Sequence, residues 1–368
     1  MNTTALSLLR FLAAIIVILF HFRGDSEFLE AAPKILTAGP QMVTFFFVLS
    51  GFSLVLAYYN KTVFSYKEYW IKRATRIVPI YLLAMALMVV FIISDRRELS
   101  PVALILHLSF LQSWFPPYPL SINDPAWAIS DLFFFYATFP LILSYIKISC
   151  PNPKRFLLLA LLLWLLTQTI LMILLNTSFY RGGPSFSHDL IYYFPPAHYC
   201  SFLLGIATGY LTIKGKKVDL LKIKSLLLIL SSCFLLILFI ENELSITQAI
   251  KLRLPFGASF YAPLFMLVIF SFSTAKGMFA NRLTSKLIVI LGEISFSIYL
   301  LQLPVSYITN FIFYHYINNI HIFSHDIWLM VHVSILIIIG VFLNYAVEKP
   351  IIAAVKNMFS VVGKSFQS

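Results

Sequence analysis

Apolar runs close to twenty residues long recur from one end of this 368-residue sequence to the other. A helix needs about 20 consecutive apolar residues to cross the hydrocarbon core of a bilayer. Hydrophobic residues make up 60% of the chain and charged residues only 11%, whereas roughly 25% of a soluble domain is charged. The sequence therefore predicts an all-α, polytopic integral membrane protein with almost no room for a soluble domain.

The apolar runs divide the chain into ten predicted spans. The first ends in Phe20-His21-Phe22-Arg23 with no small-residue cleavage site, so we interpret it as a retained helix rather than a cleavable signal peptide. A shorter apolar piece, Val102–Trp114, is predicted to be interfacial or re-entrant. The transmembrane domain is expected over 1–350 and a short cytoplasmic tail over 351–368. The ten spans are 6–22, 41–59, 77–94, 127–146, 156–175, 197–213, 225–240, 257–275, 287–306 and 327–347.

Loops with many lysines and arginines alternate along the chain with loops that have few. If the N-terminus is cytoplasmic, the cytoplasmic side receives 19 of them and the opposite side 7, with Arg10 counted inside the membrane. Cytoplasmic loops of membrane proteins are enriched in these residues. The pattern predicts an even number of spans with both termini in the cytoplasm. It also explains most of the net charge of +12 without a nucleic-acid partner.

A metal site is not expected from the sequence. The three cysteines, Cys150, Cys200 and Cys233, match no disulfide or zinc spacing. The histidine-rich stretch "HYINNIHIFSHD" (315–326) has irregular spacing and no paired carboxylates. It is interpreted as a wetted interfacial loop.

Two ionisable residues interrupt the first apolar run, "LLRFLAAIIVILFHF". Arg10 and His21 are eleven residues apart, almost three helical turns, so they share one helix face about 16 Å apart along the axis. Both could simply reach the two membrane interfaces. Alternatively they mark a functional path, because charged groups inside a membrane are costly and usually line one.

A second basic pair begins the third predicted span. Arg73 and Arg76 in "YWIKRATRIVPIYL" lie at i and i+3, on one face of a helix. They could be an ordinary cytoplasmic anchor, or a phosphate clamp, since the guanidinium fork suits phosphate oxygens. In the second case Arg10, Arg73 and Arg76 would form an anion site, with His21 about one extended pantetheine arm further in.

Six stretches in order resemble the membrane-bound acyltransferase-3 family, over nearly the whole chain. The first helix has the family's Arg-x10-His spacing, at Arg10 and His21, and "YWIKRATRIVPIYLL" is similar to its Arg-x-x-Arg segment. The other four stretches are "VTFFFVLSGFSLVLAYY", "PAWAISDLFFFYATFPL", "LGEISFSIYLLQLPV" and "NYAVEKP".

The resemblance implies a reaction. Family members move an acyl group, usually acetyl, from cytoplasmic acyl-CoA to a hydroxyl of a surface glycan or lipid-linked acceptor. It implies that His21 is catalytic and that Arg10, Arg73 and Arg76 serve donor binding or pore architecture. A neutral imidazole can accept the proton of a hydroxyl that attacks a thioester. No metal is implied, and the expected location is the bacterial inner membrane. Because some members carry an additional periplasmic domain, a separate periplasmic partner is a further expectation.

The sequence departs from the family pattern at two positions. Leu132 stands where relatives commonly have Glu, and Asp131 is one step, about 100°, away on the helix. Gln302 stands where many relatives have His, and it can donate and accept hydrogen bonds. The additional candidates for substrate contact or pore lining are Asp25, Trp127, Asp131, Tyr299, Gln302 and His198, with Asp25 placed to orient the imidazole if the chain turns back.

Two other classes of protein compete with an acyltransferase. A transporter or exporter of a glycan or lipid-linked intermediate would also place charge in a pore. A glycosyltransferase with a polyprenyl-linked donor usually needs a carboxylate near the far face, and Asp131 is the candidate the sequence offers. The acceptor, with lipopolysaccharide O-antigen and exopolysaccharide among the candidates, is not defined by the sequence.

Overall fold

The computed structural model describes residues 4–215, 222–274, 285–313, 324–355 and 357, and these residues form helices and connecting segments without a β-strand. Each of the ten predicted spans coincides with a helix. The helices are α1 (Ala5–His21), α2 (Gly39–Tyr58), α3 (Tyr66–Ser94), α4 (Trp127–Ile148), α5 (Pro153–Leu175), α6 (Pro195–Lys214), α7 (Lys222–Glu241), α8 (Ala262–Thr274), α9 (Lys286–Ile312) and α10 (His325–Leu343).

Seven helical segments of the described chain are long and apolar enough to cross a membrane. Helices α1 and α8 are apolar but shorter, with 17 and 13 residues, and α6 has 20 residues but is not among the seven. The all-helical, multi-pass architecture is thus confirmed, whereas the count of ten spans and the orientation stay predictions. The seven segments are Gly39–Tyr58, Tyr66–Ser94, Asp124–Ile148, Pro153–Leu175, Ile223–Glu241, Lys286–Ile312 and His325–Val355.

Local signals explain where the helices begin. The hydroxyl of Ser65 accepts a hydrogen bond from the amide of Glu68 at 3.3 Å and caps α3. The helix therefore begins at Tyr66, eleven residues before the predicted start at 77. Asn152 caps α5 in the same way, because its side-chain oxygen accepts from amides that lack a partner in the first turn. Arg73 and Arg76 therefore lie inside α3 and not at its first residue.

Helix α1 is at the centre of the bundle, where it packs against α2, α8, α9 and α10. Ala14, Val17 and Ile18, on the face that Arg10 and His21 share, are fully or almost fully buried. The two polar residues thus lie at opposite ends of an apolar, protein-covered stripe. We call these ends of the bundle the Arg10 end and the His21 end.

Aromatic rings hold several basic residues at the Arg10 end. The ammonium groups of Lys147 and Lys214 each lie 5.7 Å from the centre of the Tyr59 ring. Lys147 also donates to the backbone carbonyl of Lys61 at 3.0 Å. The ends of α2, α4 and α6 therefore meet at one basic surface.

The tightest helix contact joins α2 and α6 through glycines. A β-carbon at Gly205 would lie 1.9 Å from the carbonyl oxygen of Val48, and one at Gly51 would lie 2.1 Å from that of Phe202. Small residues let helix backbones approach this closely. Gly205 and Gly209, four residues apart on α6, thus form a small-residue packing motif against α2.

We expect Gly205→Ala to destabilise the folded protein by about 3 kcal/mol or more, because the new methyl group meets backbone atoms that cannot rotate away. The matched control is Gly257→Ala, where the nearest atoms lie 3.3 Å from the added carbon and belong to side chains. Thermal unfolding of the two variants, monitored by size-exclusion chromatography, gives the melting temperatures to compare. Equal melting temperatures would contradict the packing of α2 on α6.

Candidate functional site

Three arginines from two helices line one cavity at the Arg10 end, with a volume of about 150 Å³. Arg10 comes from α1, and Arg73 and Arg76 come from α3. Arg76 is exposed whereas Arg10 and Arg73 are half-buried, so the cavity is open on the side of Arg76. Beyond the arginines, the lining is mainly apolar and aromatic, with Phe46, Phe47, Leu49, Ile129, Leu132, Phe296 and Tyr299 among its residues.

The positive charge of this cavity has little compensation. Within the described part of the chain, none of the three arginines has a carboxylate oxygen within 4 Å. Arg10 and Arg76 are close enough for their charges to repel each other. The Nε of Arg73 is buried and has no hydrogen-bond partner among the described residues. Because an unpaired charge away from water is costly, this arrangement favours a bound anion.

Neighbouring contacts fix the position of the arginine-bearing turn of α3. The Tyr69 hydroxyl donates to the backbone carbonyl of Tyr136 at 2.8 Å, and the Ser50 hydroxyl donates to the Tyr136 hydroxyl at 3.2 Å. These bonds tie α2, α3 and α4 together beside Arg73. The cavity wall is thus set by packing between helices and not by a mobile loop.

The "NYAVEKP" segment closes the bundle near the arginines. It forms a π-helical turn over Asn344–Glu348, a feature frequent at functional sites. The Asn344 amide donates to Glu293 at 2.9 Å, and Ser297 donates to Glu348, whose charge also acts on Arg76. This turn therefore links the end of α10 to α9 and to the arginine cavity.

His21 lies in a different cavity, of about 340 Å³, at the opposite end of α1. Its Nδ1 is 2.9 Å from Oε1 of Gln302, which is fully buried in α9. The Gln302 amide nitrogen donates to the carbonyl of Tyr299 at 2.7 Å. Because Oε1 can only accept, the Nδ1 of His21 carries the hydrogen and its Nε2 is the acceptor.

One turn of α9 separates the two cavities. Tyr299 lines the arginine cavity, and Gln302, three residues later, holds His21; along a helix this is about 4.5 Å. The Tyr299 hydroxyl donates to the carbonyl of Pro125 at 3.0 Å, and its ring packs edge-on against Phe46. Arg10, Arg73 and Arg76 thus come together as expected, but His21 does not share their cavity.

The expected orienting residue for His21 lies elsewhere. Asp25 is exposed, and the hydrogen bond that orients the imidazole comes from Gln302 instead. The chain does turn after His21, but it is Gly24 that borders the His21 cavity. Asp25 is closer in sequence, whereas Gln302 reaches the ring because α9 packs along α1.

Asp131 does not take the position of the glutamate that relatives have at Leu132. Leu132, Ala128 and Ile129 line the arginine cavity and Asp131 does not, as expected from the rotation of about 100° per residue. Asp131 is 0% exposed, and neither of its carboxyl oxygens has a hydrogen-bond partner among the described residues. Its carboxyl group does lie near Tyr299.

Trp127 and His198 pack against each other, with ring centres 5.1 Å apart. Neither residue lines either cavity, but both pack behind Phe47, which lines the arginine cavity. Trp127 is only 8% exposed, so its faces are covered by protein. His198 has both nitrogens engaged, with the Ser259 hydroxyl at 3.1 Å and the Tyr192 carbonyl at 3.0 Å. Their observed contacts are structural.

Besides Phe22 and Gly24, which follow His21 directly, three residues of the His21 cavity were not candidates from the sequence: Asn310, His325 and Trp328. His325 and Trp328 belong to the start of α10, next to the histidine-rich stretch, whose His315 and His321 lie outside the described residues. The only sequence signal for His325 and Trp328 was their position at or just after the end of the loop that the charge distribution places opposite the cytoplasm. A single sequence does not indicate that α10 packs beside the end of α1.

The fold and the arginine cavity define a polytopic, all-helical protein with three arginines gathered inside the bundle. The chain belongs to the acyltransferase-3 family, because the family model described as an acyltransferase domain matches residues 3–346. The resemblance noted from the motifs is thereby confirmed.

Two curated proteins are similar to parts of this chain. The chain is similar to the acyltransferase MdmB of Streptomyces mycarofaciens, with 34% identity over 145 residues, covering 36% of this chain and 37% of that protein. It is also similar to an uncharacterised protein of Haemophilus influenzae, with 27% identity over 233 residues, covering 57% of this chain and 92% of that protein. The chain thus spans little more than a third of the named relative. No solved structure gives a significant match.

We expect Asp131→Leu to leave the melting temperature unchanged or to raise it, because it removes a buried carboxyl group that has no hydrogen-bond partner among the described residues. Burying an unsatisfied polar group costs about 1–3 kcal/mol. The control is Asn123→Leu, which should destabilise, since the Asn123 amide donates to the carbonyl of Leu300 at 3.1 Å. A lower melting temperature for Asp131→Leu than for Asn123→Leu would show that the carboxyl group has a stabilising partner.

Proposed function

We propose that the protein transfers an acyl group, in the first instance acetyl, from cytoplasmic acyl-CoA to a hydroxyl of a surface glycan. Candidate acceptors are lipopolysaccharide O-antigen, exopolysaccharide and their lipid-linked precursors. The observation that supports this proposal most strongly is the cavity in which Arg10, Arg73 and Arg76 meet with no carboxylate oxygen of the described residues within 4 Å. Membership of the acyltransferase-3 family gives the reaction class.

The arginine cavity suits the phosphate-bearing part of CoA. Guanidinium groups bind phosphate oxygens through paired, charge-assisted hydrogen bonds, and the unpartnered Nε of Arg73 offers one such donor. A volume of about 150 Å³ is too small for the whole coenzyme. The adenosine would therefore lie outside, on the basic surface formed by Lys147 and Lys214, while the pantetheine arm follows the apolar lining inward.

The proposed chemistry is acyl transfer with His21 as general base. The acceptor hydroxyl oxygen attacks the thioester carbonyl, so that a C–O bond forms and the C–S bond breaks. The hydroxyl proton passes to Nε2 of His21, which the Gln302 bond leaves free to accept it, and from there to the CoA sulfur. A positioned base of this kind contributes about 10²–10⁴-fold to the rate.

Transfer requires the two cavities to communicate. The turn of α9 from Tyr299 to Gln302 lies between them, and the Tyr299 ring borders the arginine cavity. We propose that the thioester end of the donor reaches His21 past the Tyr299 side chain. Rotation of that ring would break its bond to the Pro125 carbonyl, a modest cost of about 0.5–1.5 kcal/mol.

The proposed location is the bacterial inner membrane, with the Arg10 end facing the cytosol and the His21 end facing the periplasm. The distribution of lysine and arginine between loops supports this orientation. A separate periplasmic protein that presents the acceptor remains part of the proposal.

We expect Arg73→Gln to weaken acetyl-CoA binding about 10- to 100-fold, because one charge-assisted hydrogen bond is worth about 1.5–3 kcal/mol. The affinity of the unchanged protein should also fall as salt increases. Isothermal titration of the purified full-length protein with acetyl-CoA measures both effects.

The matched control for this titration is Lys72→Gln. Lys72 precedes Arg73 on α3 but bonds to Glu68 and does not line the cavity. It should bind acetyl-CoA within about twofold of the unchanged protein, since an exposed salt bridge is worth about 0–1 kcal/mol. Equal affinities for the two variants would remove the arginine cavity as the donor site.

We expect His21→Gln to lower acyl transfer by about 10²–10⁴-fold through loss of the general base. The measurement is mass spectrometry of surface glycans from cells that lack the gene and carry each variant, together with release of free CoA by membranes. His188→Gln is the control, because His188 lies on another loop and packs on Tyr180 and Tyr192. Undiminished glycan acylation in His21→Gln would contradict the assigned base.

A further inference from the structure

The cavity around His21 has an uncharged, hydrogen-bonding lining. It is formed by His21, Phe22 and Gly24 from the end of α1 and its turn, Asn310 from α9, and His325 and Trp328 from α10. Its volume of about 340 Å³ is in the range of small-ligand sites. Two imidazoles, an amide and an indole on one cavity are more polar hydrogen-bonding groups than lipid packing alone requires.

We propose that this cavity binds the acceptor as an uncharged, hydroxyl-rich sugar unit, with His325 accepting a hydrogen bond from a second hydroxyl beside the one that is acylated. The proposal rests on the proposed function for the identity of the reaction, but the binding of the sugar unit can be tested without it.

The hydrogen bond of His325 defines which of its nitrogens can bind a hydroxyl. Its Nε2 lies 2.8 Å from the backbone carbonyl of Phe22, which can only accept. In the neutral ring Nε2 therefore carries the hydrogen, and Nδ1 is left as an acceptor. His21 has the same division of roles, with the nitrogens exchanged. Two imidazole acceptors in one cavity suit a ligand with two hydroxyl donors.

Asn310 supplies the complementary donor. Its side-chain oxygen accepts from the indole of Trp328 at 2.9 Å, which leaves the NH₂ group to donate to a ring or hydroxyl oxygen. The two hydrogen-bond acceptors, on His21 and His325, and the donor, on Asn310, can pair with the hydroxyl groups and ring oxygen of a sugar. Charged ligands are disfavoured, because none of the described residues that line the cavity carries a full charge and an unpaired charge loses its hydration on entry.

Two charged side chains close to the cavity, those of Arg23 and Asp326, are engaged with protein groups. The Arg23 guanidinium lies over the ring of Phe20, 5.6 Å from its centre. Asp326 accepts from the Ser26 hydroxyl and, at 3.4 Å, from the amide of Phe28. Neither is a lining residue that could neutralise a uronate or an amino sugar.

The position of His325 is fixed by packing. Its ring stacks on Trp328, with centres 5.5 Å apart and planes at 16°, and Trp328 in turn stacks on His332 at 4.9 Å. Gly24 has a φ of +40°, and a β-carbon there would lie 2.7 Å from Nε2 of His325. The glycine therefore allows the ring to approach the end of α1, and a preorganised ring binds a ligand at less entropic cost.

The experiment is saturation-transfer NMR on the full-length protein in detergent micelles. The probes are methyl β-glucopyranoside and its uronic acid counterpart. We expect saturation to be transferred from the unchanged protein to the uncharged glycoside. The glycoside should bind His325→Phe roughly three- to tenfold more weakly, the factor that corresponds to one lost hydrogen bond. His188→Phe, on a loop at the same end of the bundle, is the control and should bind as the unchanged protein does.

Gly24→Ala is the second variant, in case His325→Phe does not fold. The added methyl group displaces the His325 ring, so we expect the same loss of binding. Equal or tighter binding of the uronic acid, or undiminished binding by a folded His325→Phe or Gly24→Ala, would overturn the proposal. So would the absence of binding of the uncharged glycoside to the unchanged protein.

Acyl-transfer assays separate this proposal from the proposed function. If the uncharged glycoside binds through His325 but no glycan is acylated from acetyl-CoA, the sugar site stands and the proposed function fails. If glycans are acylated and His325→Phe leaves the KM for the acceptor unchanged, the proposed function stands and the role of His325 is wrong.

Discussion

The gathering of three arginines in one cavity of a helical bundle, two of them close enough for their charges to repel, is the constraint on which the rest of the structure depends. Arg10, Arg73 and Arg76 line one cavity, and no carboxylate of the described residues lies within 4 Å of them. Helix packing has to hold these charges together, and the bonds of Tyr136 with Tyr69 and Ser50 supply part of that support. A protein that maintains such an arrangement gains stability when an anion enters.

Helix α9 connects this cavity to the His21 end. In its middle Ser297 donates to Glu348, whose charge acts on Arg76, Tyr299 borders the arginine cavity and Gln302 holds His21. Near its end Asn310 lines the His21 cavity. One rigid element therefore carries contacts to the proposed donor, base and acceptor sites.

Much of the fold was readable from sequence because bilayer thickness imposes a length on each apolar run. Helix α3 shows the limit: its first turns, from Tyr66 to Arg76, are polar, so hydropathy missed them although Ser65 caps the helix. Helical geometry explains why Leu132 lines the cavity whereas Asp131, a candidate from the sequence, does not. The contacts of Gln302 and His325 with the end of α1 could not be predicted in this way, because each joins residues about 300 positions apart in the sequence. Such contacts depend on packing between helices, which periodicity does not encode.

The most direct test of the arginine-to-histidine path is a cryo-electron microscopy structure of the protein in lipid nanodiscs with a non-hydrolysable thioether analogue of acetyl-CoA. We expect phosphate density against Arg10, Arg73 and Arg76, a displaced Tyr299 ring, and the acyl group beside His21. An analogue bound away from the arginines, or an acyl group held on the far side of an unmoved Tyr299, would contradict the proposed path.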